Sequence, residues 1–330
     1  FLIVEVMKKS LWILGAAVIA LTGCTNNEVV DIPQSRAINF SNAFVNNTTR
    51  ADVTNADFKQ FWVYGDYQNE SSWVDLFNNV KVSGASVGSG AVWTPDETAY
   101  WQVDKTYNFG AYADGTSQLT TGISYNPTSK TLTFSDYSAG ANDLIAATSD
   151  DASWDGSGDP SKVQLSFKHM LSKVKFTFKT DAAETYTMKV SELKISQAIQ
   201  TATGTMVDKV VGTWLGENTG EYSFADIDDY ATAEGQAESE VKYVIPQENT
   251  NSIAVSFRVT VTDGGGYSKE GTFTGTMAIA ESNKWDAGLA YNYTVTINPD
   301  KVDDTLKPIL FDVTTVEEWD EFTNPDLDLN

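Results

Sequence analysis

Apolar and polar residues alternate along much of the chain with a period of two, which predicts β-strands. The clearest alternation covers residues 253–261, and a second covers residues 163–178. In the second, the apolar residues fall on one face of each of two strands that meet at residues 169–172: Val163, Leu165 and Phe167, then Val174, Phe176 and Phe178. No long run has a helical period, so the predicted fold class is all-β.

Turn-forming residues divide the predicted strands into two groups. Residues 150–162 are rich in Asp, Gly, Ser and Pro and offer little to bury. A chain of 330 residues is long for one β domain, so we predict two β domains, at 51–161 and 162–300, followed by a tail at 301–330. Three glycines after Asp263 predict a hairpin there.

The beginning of the chain carries an export pattern. We take Met7 as the true start, because residues 1–6 do not fit the pattern that follows. Two lysines precede an apolar run at 11–21, which ends in Leu21-Thr22-Gly23-Cys24. This order predicts a signal peptide at 1–23 rather than a membrane-spanning helix. The last four residues resemble a bacterial lipobox, in which Cys24 is lipidated and anchors the precursor to a membrane; the alternative is an ordinary signal peptide with a chance cysteine.

Charge and composition narrow the functional classes. The chain has 22 basic and 45 acidic residues, a formal net charge of −23, which repels nucleic acid and anionic lipid headgroups. Many acidic residues fall in 216–240, which we predict to be an insertion. Cys24 is the single cysteine and His169 the single histidine, so the domains have no disulfide and no histidine-based metal cluster. We expect His169 to pack or to form hydrogen bonds, and we expect no catalytic residue, cofactor or metal.

Two features are candidates for ligand binding. The loop around Asp155 has oxygen ligands that could hold Ca²⁺, but it lacks the pattern of an EF-hand, so we interpret it as a solvated surface loop. Three of the tryptophans lie in polar, glycine-rich surroundings, and we consider them candidates for exposed rings that stack on sugars: Trp73, Trp154 and Trp214.

Four motifs occur in order along the chain. They are the lipobox at Cys24, the pattern L-x-F-x-H-x-L-S-K-V-x-F at 165–176, the segments 285–288 and 291–297, and the closing segment 309–319, which ends in V-E-E-W. Together they resemble the fimbrillin-like lipoproteins of Bacteroidetes, which are subunits of type V pili. The resemblance covers nearly the whole chain, and it implies two tandem transthyretin-like β-sandwich domains and no enzymatic activity.

The resemblance also implies processing and a donor strand. It places a proteolytic cut after Arg50, which removes the lipidated leader at 24–50 together with a strand predicted near Ile38 and Phe40. Arg36 is a competing site, and Arg50 as an ordinary surface residue is the alternative. The donor strand is predicted from alternating residues of the tail: Ile309, Phe311 and Val313. This strand either fills a groove of a neighbouring copy or packs on its own domain.

The predicted function is therefore that of a structural pilin. The chain would be exported as an outer-membrane lipoprotein, processed, and polymerised by donor-strand exchange into cell-surface fimbriae that serve adhesion. Its partners would be copies of itself or related pilins. The alternative is a monomeric surface lipoprotein or tip adhesin that binds a glycan or a host protein.

Overall fold

The computed structural model describes residues 36–45, 58–84, 92–180, 186–231, 236–279, 282–303, 307–308 and 312–318. These residues form β-strands and two short 3-10 turns, Thr250–Ser252 and Pro299–Lys301. The predicted all-β fold class is confirmed. None of the described residues belongs to a helix long and apolar enough to cross a membrane.

The strands are numbered in chain order. They are β1 Phe40–Val45, β2 Gln60–Asn69, β3 Ser72–Gly84, β4 Trp93–Pro95, β5 Thr106–Asp114, β6 Ile123–Asn126, β7 Thr131–Ser138, β8 Leu144–Thr148, β9 Ala152–Ser153, β10 Val163–His169, β11 Ser172–Thr180, β12 Tyr186–Val207, β13 Val210–Val211, β14 Leu215–Ser223, β15 Ile227–Ala231, β16 Gln236–Glu238, β17 Lys242–Val244, β18 Gln247–Glu248, β19 Ala254–Asp263, β20 Ser268–Thr276, β21 Lys284–Trp285, β22 Leu289–Ile297, β23 Lys307–Pro308 and β24 Asp312–Glu318.

One sheet closes on itself. Its strand order is β2-β3-β4-β1-β10-β8-β5-β9, and β2 also pairs with β5, so seven of these strands form a ring. Closure removes the exposed edges of a sheet. This ring, called the barrel below, encloses a small core that is rich in aromatic rings, among them Phe40, Phe61, Trp93, Phe109 and Phe167.

The larger core lies between two further sheets. A five-stranded sheet runs β16-β11-β22-β24, with β17 also paired to β11. A nine-stranded sheet runs β23-β20-β19-β12-β7-β6, with β13, β14 and β15 also paired to β12. Side chains from both sheets meet in this core, including Phe176, Phe178, Phe257, Val259 and Tyr293. This arrangement of layers agrees with a β-sandwich.

The strongest predicted strands are confirmed. β10 buries Val163, Leu165 and Phe167 and exposes the residues between them, and β19 alternates in the same way. The predicted hairpin after β19 is also present. The carbonyl of Asp263 accepts the Gly266 N–H at 3.0 Å, and the Asp263 side chain accepts a further backbone N–H at 2.9 Å.

The predicted acidic insertion at 216–240 is wrong. Most of this segment is strand, because β14 and β15 both pair with β12. Tyr222 and Phe224 are buried in the larger core. The described acidic side chains of β14 and β15 are exposed, and Lys194 Nζ lies 3.0 Å from the Glu221 carboxylate. The few apolar residues in this segment are spaced irregularly among acidic and polar ones, which is too weak a signal for a strand.

Strand pairing crosses the predicted domain boundary at 161. The β6–β7 hairpin precedes this boundary, yet β7 pairs with β12 in the nine-stranded sheet. β8 and β10, which follow β7 in the chain, belong to the barrel, and β9 pairs with the barrel strand β5. The boundaries at 161 and 300 stay predictions.

Candidate functional site

β1 is an interior strand of the barrel. It pairs in parallel with β10, where Phe40 lies opposite Val163, and antiparallel with β4, where Phe40 lies opposite Trp93. The N–H of Val163 also donates to the carbonyl of Asn39 at 2.9 Å. The place that β1 occupies between β4 and β10 is called the slot below, because removal of β1 would open the ring there.

The residues before β1 are attached to the same part of the barrel. The Ile38 N–H donates to the Ala99 carbonyl at 2.8 Å, and the Trp101 N–H donates to the Arg36 carbonyl at 3.0 Å. The Arg36 guanidinium lies 5.2 Å from the centre of the Trp154 ring, a cation–π contact. Residues 36–45, called the first-strand segment below, are therefore held by backbone and side-chain contacts.

The first-strand segment also fills part of the small core. Ile38 is 1% exposed and Phe40 is fully buried, so the strand predicted at this place has the expected buried face. The Phe40 ring meets Phe61 and Phe109 edge to face, with centroids 5.6 Å apart in both pairs. Such pairs add about 0.5–1.5 kcal/mol to the free energy of burial. Loss of this segment would leave an apolar groove.

The C-terminal tail pairs within its own chain. β24 lies antiparallel to β22, with Val313 opposite Tyr293, and it lies at the end of the five-stranded sheet. β23 pairs in parallel with β20. The tail thus covers the edge of its own sheets, which was the alternative to donation in the sequence-based prediction.

The remaining predicted sites fall elsewhere in the chain. Cys24, Arg50, Ile309 and Phe311 lie outside the described residues. Lipidation, processing and the donor role of the tail stay predictions.

His169 has the structural role that we expected. Its Nδ1 lies 2.8 Å from Oδ2 of Asp143, and both side chains are 2% exposed. Close by, the Tyr137 hydroxyl donates to Asp114 at 3.2 Å, and burial raises the pKa of the Asp114 carboxyl. The sequence did not single out Asp143, because one acidic residue before a strand forms no pattern.

The loop around Asp155 shows the geometry of a surface turn. Oδ1 of Asp155 accepts the Ser157 N–H at 2.8 Å, as side chains in such turns commonly do. Within the described part of the chain, no three or more His, Cys, Asp or Glu side chains gather to hold a metal ion.

Two of the tryptophans proposed for sugar stacking are buried, so the prediction of exposed rings is wrong for them. Trp154 and Trp214 are each 6% exposed, while Trp73 is half-buried. The Trp214 Nε1–H donates to the Met170 carbonyl at 2.7 Å. Its ring lies so close to Gly204 that a Cβ there would come within 2.6 Å. In this case a glycine marks close packing of the ring, not exposure.

Comparisons with known proteins place this architecture in a family. The model of the fimbrillin-like family matches residues 49–319, and comparison with curated proteins gave no match. Three crystal structures from Bacteroides share the fold. A fimbrial protein from Bacteroides vulgatus is 14% identical, with 86% of this chain and 100% of that chain covered and a TM-score of 0.53.

The other two are described as proposed cell adhesion proteins. The one from Bacteroides ovatus is 16% identical, with 86% of this chain and 97% of that chain covered and a TM-score of 0.52. The one from Bacteroides uniformis is 20% identical, with 88% and 100% covered and a TM-score of 0.50. The matching family consists of structural fimbrial and adhesion proteins of the cell surface. Because its family model matches most of the chain, the protein belongs to the fimbrillin-like family, which gives it a pilus or adhesion role and no enzymatic activity.

Proposed function

We propose that the protein is a structural pilin that is exported as a lipoprotein, processed after Arg50 and polymerised by donor-strand exchange. The observation that supports this most directly is the position of β1 inside the barrel, between β4 and β10. Arg50 lies in the segment that links β1 to β2. After a cut there, only non-covalent contacts would hold the first-strand segment in its slot.

The tail has the pattern needed to replace β1. Ile309, Phe311 and Val313 recur at every second position, as Ile38 and Phe40 do on the buried face of the first-strand segment. In strand addition, backbone hydrogen bonds provide affinity and alternate side chains fill pockets. The tail of one copy would therefore enter the slot of the next copy.

The tail has more neighbouring strands to pair with in the slot of another copy than at the edge of its own sheet. β24 has one neighbouring strand, β22, in the described sheet, whereas a strand in the slot pairs with both β4 and β10. Each net backbone hydrogen bond contributes about 0.5–1.5 kcal/mol, and burial of a Val, Ile or Phe side chain contributes about 1.5–3 kcal/mol. Because the slot offers two pairing strands, transfer of the tail into an open slot would gain backbone hydrogen bonds, and the alternating apolar side chains would fill the groove left by Ile38 and Phe40.

In the uncut chain, the tail of one copy cannot enter the slot of another copy. β1 fills the slot and β24 pairs with β22, so neither partner of the exchange is open. An open apolar groove with unpaired strand edges would promote aggregation. Processing would thus couple release of the first-strand segment to assembly at the cell surface, while lipid on Cys24 holds the precursor at the outer membrane.

Tail variants test the donor role. Deletion of residues 307–330 should leave a folded and exported protein that forms no polymer. Val313→Asp should weaken polymer formation strongly, because it places a charge on the apolar side of the tail pattern. The matched control is Thr314→Asp, which adds the same charge at the next position and should assemble normally. A deletion variant that still polymerises, or equal effects of the two substitutions, would refute the donor assignment.

A further inference from the structure

Three oxygen-bearing side chains form a row across neighbouring strands of the barrel. Asp75 of β3 lies opposite Asp66 of β2, and Asp66 lies opposite Asn108 of β5. Residues directly opposite each other in antiparallel strands share one face of the sheet. Phe109, the next residue after Asn108, is in the small core, so the row lies on the outer face.

A β-bulge brings the two carboxyl groups together. Gly65 lies opposite Phe77 while Asp66 lies opposite Asp75, which leaves Leu76 as the extra residue of the bulge. Without it, Asp66 would face Leu76. Like charges directly opposite each other in a sheet are destabilising, so the bulge creates a repulsive pair that needs compensation.

The described residues provide no basic partner for this pair. Neither Asp66 nor Asp75 forms an ion pair with Lys or Arg in the described ranges, and Lys130 of the nearby hairpin turn binds Asp151 at 2.9 Å. The register of β2 and β3 instead leaves the side chains of Asp66 and Asp75 directly opposite each other. A cation bound between the two carboxylates would compensate their repulsion.

Asn108 points independently to a ligand. Its residue is 3% exposed, and its Nδ2 donates to the carbonyl of Pro127 at 2.8 Å. Because Nδ2 donates to Pro127, the remaining polar atom of the side chain is the acceptor Oδ1. This oxygen has no hydrogen-bond partner among the described residues, so it is available to a ligand of the row. A buried polar atom without a partner costs about 1–3 kcal/mol.

Tyr125 of β6 covers the row from the side of the β6–β7 hairpin. A Cβ on Gly110 would come within 2.5 Å of its ring, and the ring centroid lies 6.4 Å from that of Tyr64. Its hydroxyl is buried and has no partner among the described residues. Tyr64 and Gly110 lie two residues from Asp66 and Asn108 in the same two strands and therefore on the same face, so the Tyr125 ring packs beside the row.

We propose that Asp66, Asp75 and Asn108 bind a hard divalent cation of the calcium class on the outer face of the barrel. Ca²⁺ takes about six to eight oxygen ligands from carboxylates, amide carbonyls and water. The row supplies two carboxylates and one amide oxygen, and the Tyr125 hydroxyl supplies a further oxygen. Asp75 is exposed, which gives the ion and its water ligands access from solvent.

The bound ion would connect two parts of the fold. Asp66, Asp75 and Asn108 belong to the barrel, whereas Tyr125 belongs to a hairpin that continues into the nine-stranded sheet. Binding would therefore stabilise the contact between the hairpin and the barrel. This site is separate from the slot of β1 and does not depend on the proposed polymerisation.

Calcium titration of the purified protein tests the site. Isothermal titration calorimetry should show saturable Ca²⁺ binding with a Kd of about 10⁻⁴–10⁻³ M, the range of extracellular calcium modules. Ca²⁺ should raise Tm relative to protein in EGTA. Asp75→Asn should weaken binding at least about tenfold, because it removes one of the two carboxylates, and in EGTA it should raise Tm because it removes the repulsion.

The acidic loop supplies the matched control. Asp155→Asn also removes one carboxylate, and it should leave both Ca²⁺ affinity and the Tm response unchanged. Absence of saturable binding, binding that Asp75→Asn leaves unchanged, or binding that Asp155→Asn abolishes would overturn the proposal. Asp75 is exposed, and circular dichroism of the variant verifies that its fold is kept.

Discussion

The side chain of Phe40 anchors β1 in the barrel. It is fully buried and contacts the rings of Phe61, Phe77 and Phe109. Its backbone is paired with strands on both sides. The same residue therefore contributes to the stability of the chain, and it would help to retain the first-strand segment after the proposed cut.

Replacement of Phe40 tests this role. Phe40→Ala should lower the free energy of unfolding of the uncut protein by about 3–5 kcal/mol, the usual cost of emptying a buried phenylalanine site. Urea denaturation measures the change. Val210→Ala is the control, because Val210 is 62% exposed and should change stability by less than about 0.5 kcal/mol. A Phe40→Ala protein as stable as wild type would contradict the tight packing of β1.

The carboxyl of Asp66 predicts a specific pH dependence in the absence of bound cations. Burial, and then the hydrogen bond and charge of Asp75, raise its pKa from 3.8 to about 7. Because the folded state holds the proton more tightly than the unfolded state, this group contributes stability below the ordinary pKa that is lost as pH rises through about 7. The other ionisable group that faces it is Tyr125.

Asp66→Asn isolates this contribution. In EGTA, the variant should gain free energy of unfolding relative to wild type as pH rises from about 4 to about 7, and the gain should stay constant above that range. Thermal unfolding across this pH range measures it. A difference between the two proteins that does not vary with pH would show that Asp66 titrates normally.

The strands differ in how far local sequence determines them. The faces of β10 and β19 and the hairpin after β19 were predicted correctly, because a period of two and a glycine turn are local signals. β14 and β15 were missed, because polar and acidic residues separate their few apolar residues, Leu215 and Tyr222 in β14 and Ile227 and Tyr230 in β15. Pairing partners, such as β7 with β12, depend on contacts between distant segments and left no pattern in the sequence.

At the candidate site, too, local features were predicted from the sequence and pairing between distant strands was not. The apolar face of the first-strand segment was predicted from Ile38 and Phe40, but its place between β4 and β10 was not. The row at Asp66 had no signal, since its three side chains come from three separate strands and a bulge sets their register. Both features arise from pairing across the barrel.

The link between β1 and β2 carries a prediction about processing. An Arg50→Lys protein should keep the first-strand segment and fail to assemble, because an arginine-specific cut could no longer occur there. Arg36→Lys is the control, since it keeps a cation near the Trp154 ring and should be processed normally. Mass spectrometry of the surface-exposed protein gives the N-terminus of each variant. Processing that is lost in Arg36→Lys and kept in Arg50→Lys would place the cut before β1.

At the scale of the whole molecule, the slot of the barrel is filled by β1, and the chain also carries a tail that we propose as a donor strand. The barrel has β1 in its ring, the tail lies at the edge of its own sheet, and the net charge of −23 opposes non-specific association between copies. Assembly would then depend on a specific event that opens the slot. This dependence separates a processed pilin from a surface lipoprotein that acts as a monomer.

Gel analysis of material sheared from producing cells tests this account most directly. Immunoblots of boiled and unboiled samples in SDS should show a ladder that collapses on boiling to one band, shorter than the lipidated precursor. That result would match a processed polymer joined by inserted strands. A single full-length band that stays with the membrane fraction and does not change on boiling would contradict donor-strand exchange.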